Sequence, residues 1–309
     1  MAIDNPVHVN ESGLPLNAIE WLETHHRSKL AEREHMIKDL HLKRGSKIVD
    51  AGCGPGLWTP LLARAVGPEG RIVGVDLSVE ALVTARQRSR GQWYEKQVSY
   101  KQAPMERLPV ASGSVQAIFS ANVSQYLAKP TETFAALGHY LLPGGQLAIK
   151  DIDFGTLRFS NIDSSLQARV FQAREKWEKM RVEQGFLFED SWVGSKLAGY
   201  LREAGYENVQ EKVYKVTRQA PLQLDVRQYL QGIGSWFVCE NAPFLTRTDV
   251  EYWLDCFEDG ERCALDQPSF YYEETEFMVT GTWPEQSPQR YFESYLALLE
   301  AGQTSHESL

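Results

Sequence analysis

The stretch "KIVDAGCGPGLWTPLLARA", residues 47–65, constrains the fold more than any other part of the sequence. It places Gly52, Gly54 and Gly56 between an apolar run typical of a buried strand and a run of helical character. Glycine has no Cβ, so it permits unusual backbone dihedrals and lets another molecule approach the main chain closely. The pattern therefore predicts a strand, a tight turn and a helix whose N-terminus faces a ligand.

The segments around this stretch alternate between strand and helix patterns. Short apolar segments typical of strands follow it at "RIVGVDLS", "QVSYKQA", "VQAIFSANV" and "QLAIKDIDF". Residues 15–40 have the pattern of one or two amphipathic helices. Two later strands are predicted at "ENVQEKVYKVTR" and "ETEFMVTGTW", with helices between them and a closing helix at "PQRYFESYLALLE". Such alternation is typical of an α/β fold with a parallel sheet covered on both faces.

The spacing of the glycines indicates which ligand the turn holds. A dinucleotide fingerprint needs glycines at its first, third and sixth positions, but counting from Gly52 puts Leu57 sixth. No "GK[ST]" follows, so the stretch is not a P-loop. Asp76 ends the next predicted strand, where it can accept hydrogen bonds from both ribose hydroxyls, or else serve as a carboxylate at a helix N-terminus. A ligand with a ribose and no phosphates fits better than NAD or ATP.

Five motifs carry a resemblance to a known family. They are, in chain order, "VDAGCGPG", "VDLS", "PMERLP", "IFSANV" and "LLPGG". With them the chain resembles the class I S-adenosylmethionine-dependent methyltransferases, in the ubiquinone/menaquinone-biosynthesis-like, small-molecule branch, over roughly residues 40–155. The resemblance implies an α/β fold with a Rossmann-like, seven-stranded, mostly parallel sheet whose last strand is reversed, plus a helical lid from the N-terminus and from late insertions. It divides the chain into an N-terminal helical cap (1–40), a cofactor-binding core (41–155) and the rest of the sheet with lid insertions (156–309).

The same resemblance implies which residues hold S-adenosylmethionine and its product S-adenosylhomocysteine. By position they are Asp50, Gly52, Cys53, Gly54, Thr59, Asp76, Leu77, Met105, Glu106, Asn122 and Val123. Asp50 and the glycine turn would hold the methionine end, Asp76 the ribose, and Leu77 one side of the adenine. The pair at 105–106 would cap the adenine and bond its amino edge, and the pair at 122–123 would lie under the sulfonium. No metal site is predicted.

The catalytic group does not transfer from the family. Where relatives often have "LEH" after the fourth strand, this sequence has "SQY", residues 124–126, so a histidine base cannot be assigned by position. Tyr126 is the candidate for a polar group facing the substrate, the alternative being an aromatic that packs under the lid. His25 and His26, on the predicted N-terminal helix, are further candidates for a base.

The late part of the chain is rich in large aromatic residues, and three acids lie at the start of its last strand pattern. The aromatics between Trp177 and Tyr272 either line a pocket for a ring-bearing or prenylated compound or form the core of inserted helices. Glu273, Glu274 and Glu276 are expected at a strand edge facing water, with attraction of a cationic amine as the alternative.

Charge and composition limit the partners. The 309 residues include 32 Lys and Arg against 41 Asp and Glu, a net charge of −9, which disfavours nucleic acid as the main partner. No apolar run approaches the roughly 20 residues of a membrane span. The polar N-terminal sequence does not resemble a signal peptide, so a cytoplasmic location is predicted. A homo-oligomer is compatible with the sequence.

The predicted function is methyl transfer from S-adenosylmethionine to an O, N or C atom of a small, aromatic or lipophilic metabolite in specialised metabolism. Two alternatives stay open. One is a methyltransferase-fold enzyme that catalyses cyclisation or rearrangement, and the other is a non-catalytic partner that binds the cofactor.

Overall fold

A computed structural model describes residues 17–184, 190–239 and 241–285, and within these ranges it contains nine α-helices and eight β-strands. The helices are α1 Ile19–Ser28, α2 Leu30–Asp39, α3 Thr59–Val66, α4 Val79–Ser89, α5 Pro130–Gly138, α6 Ser164–Glu183, α7 Leu197–Glu203, α8 Leu224–Cys239 and α9 Arg247–Asp255. The strands are β1 Lys47–Ala51, β2 Arg71–Asp76, β3 Val98–Gln102, β4 Val115–Ala121, β5 Leu141–Ile152, β6 Arg158–Phe159, β7 Glu207–Gln219 and β8 Tyr271–Thr282. The predicted closing helix at 288–300 lies outside the described residues.

The chain divides into two compact units, each made of several segments. Unit 1 comprises the described parts of Met1–Met36, Asp151–Gly194 and Val213–Phe277. Unit 2 comprises the described parts of Ile37–Lys150, Ser195–Lys212 and Met278–Leu309.

Unit 2 contains the parallel sheet that the sequence predicts. Its strands lie in the order β3-β2-β1-β4-β5-β8, and β7 pairs with β8. The pairs β1–β2, β1–β4, β2–β3 and β4–β5 are all parallel, so the mixed α/β class with a mostly parallel sheet is confirmed. β1 lies in the centre, with Asp50 aligned with Gly74 on one side and Phe119 on the other. The strand order reverses beside β1, and ligands of open α/β sheets bind at such a point, outside the carboxyl ends of the strands.

Local sequence explains the elements that flank this point. Residues 48–51 of β1 are completely buried, as expected for a strand covered on both faces. Ser78 caps α4, because its hydroxyl accepts a hydrogen bond from the Ala81 N–H at 3.1 Å. A serine directly before the helical run "VEALVTARQRSR" is the sequence pattern that predicts such a cap, so this prediction is confirmed.

Unit 1 contains a core rich in aromatic side chains. Trp236, Phe237, Trp253, Phe257 and Tyr272 are all buried in one hydrophobic cluster. The core-packing interpretation therefore holds for most of the late aromatics. Unit 1 also has a strand that the sequence did not indicate: β6, two residues long, pairs antiparallel with β8, and the described residues thus form eight strands instead of the expected seven.

Among the described helices, none is both long enough and apolar enough to cross a membrane.

Candidate functional site

Three segments of unit 2 meet at the carboxyl edge of the parallel sheet. The glycine turn follows β1, Asp76 ends β2, and the turn at Asn122 and Val123 follows β4. The Gly54 N–H donates to Asp76 Oδ2 at 2.7 Å, which joins the first two segments. A Cβ placed on Gly52 would lie 2.3 Å from Val123 Cγ2, so the third segment packs directly against the turn. The structure thus brings together the residues predicted from the strand ends.

The glycine turn has a bare main chain because side chains do not fit there. Gly52 has φ +74°, a left-handed conformation that residues with a Cβ rarely adopt, in addition to its contact with Val123. Gly56 also has φ +74°, and a Cβ there would lie 2.8 Å from the Tyr100 hydroxyl. Both positions therefore require glycine.

Four main-chain N–H groups of the turn already have partners inside the protein. Gly52 N–H and Cys53 N–H both donate to Val75 O, at 2.7 and 2.9 Å. Gly54 N–H donates to Asp76, and Gly56 N–H donates to Cys53 O at 3.0 Å. A phosphate site needs such groups unpaired and aimed at the anion. The turn is thus poorly suited to a pyrophosphate. A ligand would instead pack against the Cα atoms of its glycines.

Two carboxyl groups make this edge of the sheet acidic. Asp50 is 1% exposed, and its Oδ2 is buried without a hydrogen-bond partner among the described residues. Burial and, second, the charge of Asp76 raise the pKa of Asp50 to about 8. Burial also raises the pKa of Asp76, against the opposing effect of hydrogen bonds from the Ser78 and Gly54 N–H groups. A cationic ligand with hydrogen-bond donors would relieve both effects, whereas a polyphosphate would add to the negative charge.

The residues assigned to the adenine are at the ends of β2 and β3. Leu77 is 66% exposed, which is unusual for a leucine beside a buried strand and leaves an apolar surface for a flat ring. Met105 is buried in a short helical turn after β3. Glu106, in the same turn, accepts a hydrogen bond from the Thr133 hydroxyl at 2.9 Å, and this contact fixes the turn against α5.

The side chains of Thr59 and Cys53 point into the protein interior and already have partners there. Thr59 is completely buried, and its hydroxyl accepts a hydrogen bond from the Tyr100 hydroxyl at 3.2 Å. The Cys53 thiol is also buried, and it lies 3.6 Å from Gly54 O as a weak donor. A ligand contact at either position would therefore be to the main chain.

The candidate catalytic groups lie in different units. Tyr126 is half-buried at the end of the short helical turn that follows β4 in unit 2. His25 and His26 belong to α1 of unit 1. There the His25 ring stacks on Tyr229, with 5.1 Å between ring centroids, and His26 Nδ1 lies 2.6 Å from Arg33 Nη1. The catalytic roles of all three residues stay predictions.

The prediction that all three late acids face water is wrong for Glu274 and Glu276, which are completely buried in unit 1. Both form ion pairs with the buried Lys29 ammonium, and Lys29 Nζ lies 3.1 Å from Glu276 Oε1. Tyr229 accepts a hydrogen bond from Lys29 at 3.0 Å and donates one to Glu274 at 2.8 Å. Both acids are thus paired inside the protein, which weakens the alternative that they attract a cationic amine.

Sequence reasoning also missed a buried lysine of unit 2. Lys150, near the end of β5, is completely buried and donates to Asn122 Oδ1 at 2.7 Å. The available signal was a single lysine in the apolar run "LAI" that precedes it.

The described part of unit 1 has an open cleft of about 650 Å³ in its surface. Its walls come from β6, from the residues around it, from the start of α6 and from Tyr271. The polar groups of Ser160 and Gln167 in these walls are bonded to the main chain of the unit. None of the predicted site residues lines this cleft.

Comparisons with known proteins give one family and one fold. The family model of a methyltransferase domain matches residues 42–219, more than half of the chain. An uncharacterized 37.1 kDa protein in transposon TN4556 of Streptomyces fradiae is 30% identical over 171 residues, which are 55% of this chain and 46% of that protein. Demethylmenaquinone methyltransferase of Staphylococcus haemolyticus is 29% identical over 191 residues, 58% of this chain and 75% of the enzyme. The chain thus spans less than half the length of the Streptomyces relative.

Among solved structures, a candidate methyltransferase from Bacillus halodurans C-125 superposes with a TM-score of 0.52 at 17% identity. The match covers 82% of this chain and 99% of that one. At this identity the likeness supports the fold alone.

Proposed function

The chain belongs to the methyltransferase-domain family, and from this we propose that it transfers a methyl group from S-adenosylmethionine to a small metabolite. The observation that carries the proposal is the edge of the sheet in unit 2, which is acidic and poorly suited to binding phosphate. Its glycine turn has bare main chain, four of its N–H groups are used internally, and two carboxyl groups lie beside it. These features suit a cofactor that carries a sulfonium, an ammonium and a ribose but no phosphate.

The residues present fit this cofactor. The partnerless Asp50 Oδ2 gives a buried acceptor for a cationic or hydrogen-bonding group of the methionine end. Asp76 holds the loop through Gly54, and a carboxylate has about four lone-pair sites, more than the N–H groups of Gly54, Ser78 and Leu77 occupy, so it can also accept from a ribose hydroxyl. Leu77 offers the exposed apolar surface on which an adenine would pack. Val123, the residue after Asn122, lies against Gly52, where the reactive end of the cofactor would lie.

When bound, S-adenosylmethionine supplies an activated methyl group and a neutral leaving group. The chain then has to orient the acceptor atom in line with that methyl group and to exclude water. Positioning of this kind contributes about 7–11 kcal/mol to lowering a barrier, so a dedicated base is not essential. We place Tyr126 as the polar group that orients the acceptor, since it ends the turn that begins at Asn122 and its N–H donates to Val123 O at 3.0 Å.

For the acceptor we propose an O, N or C atom of an aromatic or lipophilic compound. The support is the family match together with the curated relatives, which include a methyltransferase of a quinone precursor. A cytoplasmic location, a homo-oligomeric state and the absence of a nucleic-acid partner are kept as predictions from the sequence.

The test is incubation of the full chain with S-adenosylmethionine and a panel of phenols, amines and prenylated quinols. Transfer yields S-adenosylhomocysteine and an acceptor heavier by one methylene group, both visible by mass spectrometry. Conversion of the acceptor without formation of S-adenosylhomocysteine would instead indicate cyclisation or rearrangement. No turnover of any acceptor would favour the non-catalytic partner that only binds the cofactor.

Tyr126→Phe tests the orienting role. We expect a lower kcat and an unchanged affinity for S-adenosylhomocysteine. The fall in kcat should be about 10-fold or more if the hydroxyl also moves a proton. Tyr252→Phe, at an exposed tyrosine of α9, is the matched control and should keep the wild-type rate. A wild-type rate for Tyr126→Phe as well would remove Tyr126 from the mechanism.

A further inference from the structure

Lys150 is an unusual residue for the interior of a sheet. It lies on β5, aligned with Ala121 of β4, and its side chain is completely buried. Lysine is almost never fully buried unless its ammonium is paired, because removing the charge from water costs much free energy. A lysine at this position therefore needs a reason beyond packing.

The lysine and the residue after β4 hold each other through two hydrogen bonds. The Lys150 ammonium donates to Asn122 Oδ1 at 2.7 Å, and the Asn122 N–H donates to Lys150 O at 2.8 Å. Asn122 has φ +58°, a left-handed conformation that asparagine tolerates better than most residues. Both the backbone and the side chain of Asn122 are thus fixed from β5.

The ammonium also determines which way the Asn122 amide is turned. An ammonium can only donate, so it selects the rotamer with Oδ1 towards Lys150 and excludes the one with Nδ2 there. The orientation of the amide NH₂ is thereby set as well.

This fixed turn forms one wall of the candidate cofactor site. Val123, the next residue, occupies the space in which a Cβ of Gly52 would lie, with 2.3 Å to Cγ2. A shift of the Asn122–Val123 turn would therefore open or close the space over the glycine turn. Lys150, Asn122, Val123 and Gly52 form a continuous set of contacts within unit 2.

We propose that Lys150 is a positioning residue, which sets the cofactor affinity by holding the Asn122 amide and the adjoining turn in the binding geometry. The proposal rests on the proposed function, because it assumes that the site at Gly52 takes S-adenosylmethionine. Lys150 acts through Asn122 and not by touching the cofactor.

The test is a double-mutant cycle read by calorimetry with S-adenosylhomocysteine. Lys150→Met removes the donor and keeps most of the side-chain length, and Asn122→Gly removes the amide while keeping the left-handed backbone. We expect each single variant to lose about 10-fold in affinity, and the double variant to bind no worse than Asn122→Gly alone, since coupled residues are not additive. Ser120→Ala, at another buried polar residue of β4, is the control and should bind like the wild type.

Other outcomes separate this proposal from the proposed function. Unchanged affinity in Lys150→Met, or losses that simply add in the double variant, would overturn the positioning role while cofactor binding stands. A wild type that does not bind S-adenosylhomocysteine would overturn the proposed function itself. Should Lys150→Met fail to fold, Lys150→Gln decides: its amide can both donate and accept, so it no longer selects the orientation of the Asn122 amide, and the affinity should again fall. Wild-type affinity in a folded Lys150→Gln variant would overturn the role.

Discussion

The buried carboxyl of Asp50 should make the free protein less stable than it could be. Its Oδ2 has no hydrogen-bond partner among the described residues, and burial together with the charge of Asp76 raises the pKa of Asp50 to about 8 from the ordinary 3.8. The unfolded chain loses this proton near the ordinary value and the folded chain only near the raised one. The free energy of unfolding therefore falls as the pH rises between these two pKa values. Below the lower value and above the higher one, Asp50 contributes no further pH dependence.

The magnitude follows from the size of this window. Each pH unit between the two pKa values costs about 1.4 kcal/mol, so roughly 4 kcal/mol is lost between about pH 5 and pH 8. Asp50→Asn keeps the shape of the neutral carboxyl and has no proton to lose. We expect the variant to be more stable than the wild type, with an advantage that grows by a few kcal/mol over this range.

The assay is urea unfolding of both proteins, without cofactor, at about pH 5 and pH 8. All other titrating groups are the same in the two proteins, so the difference between their free energies of unfolding isolates Asp50. The same variant should bind S-adenosylmethionine more weakly, since it lacks the negative charge that a cationic cofactor would meet. An advantage of Asp50→Asn that stays constant or shrinks from pH 5 to pH 8 would refute the raised pKa.

Three further expectations concern single residues. Asp76→Ala should weaken S-adenosylhomocysteine binding about 10-fold, the size of one hydrogen bond to a charged group. The control Glu69→Ala, just before the other end of β2, should bind like the wild type. Equal affinities of the two variants in a calorimetric titration would remove the ribose assignment. Gly52→Ala places a Cβ 2.3 Å from the Val123 side chain, on a residue whose φ is +74°. Cofactor affinity and the thermal unfolding midpoint should therefore both fall. A variant as stable as the wild type would contradict the close packing. Lys29→Met removes the ammonium that pairs with two buried carboxylates and should lower the free energy of unfolding by about 3–5 kcal/mol, against less than about 1 kcal/mol for Lys212→Met at an exposed pair; similar values in urea titrations would refute the buried ion cluster.

Local patterns in the sequence were enough to predict the part of the fold that positions the site. The glycine turn, the strand that ends at Asp76 and the N-cap at Ser78 each depend on a few neighbouring residues. Because parallel strands end at the same edge, the meeting of Asp76 with Gly54 followed from their order alone. The family match over 42–219 agrees with the motifs that carried the resemblance.

Features that depend on partners far apart in the chain were not predictable. Glu276 resembles a solvent-facing strand acid in the sequence, but it is buried and paired with Lys29, 247 residues earlier in the chain. The strand β6 is two residues long and exists because Phe159 pairs with Tyr272, a contact that no local pattern encodes.

Side-chain partners near the site had the same limitation. Lys150 was visible as a polar residue in an apolar strand, but its bond to Asn122 joins the ends of two strands. Thr59 was predicted as a cofactor contact from its position, and nothing in the sequence indicated that its hydroxyl is bonded to Tyr100 in the interior. Spacing gives the position of a residue along the chain and not the direction of its side chain.

The central claim is that the edge of the sheet beside Asp50 and Asp76 takes a cationic adenosyl cofactor without phosphates. Calorimetry of the full chain, with no metal added, tests it directly by titrating S-adenosylmethionine and S-adenosylhomocysteine, alone and in the presence of NAD or ATP. We expect both adenosyl compounds to bind one site per chain, with neither nucleotide able to displace them. Binding of NAD or ATP at that site, or no heat from either adenosyl compound, would contradict the claim.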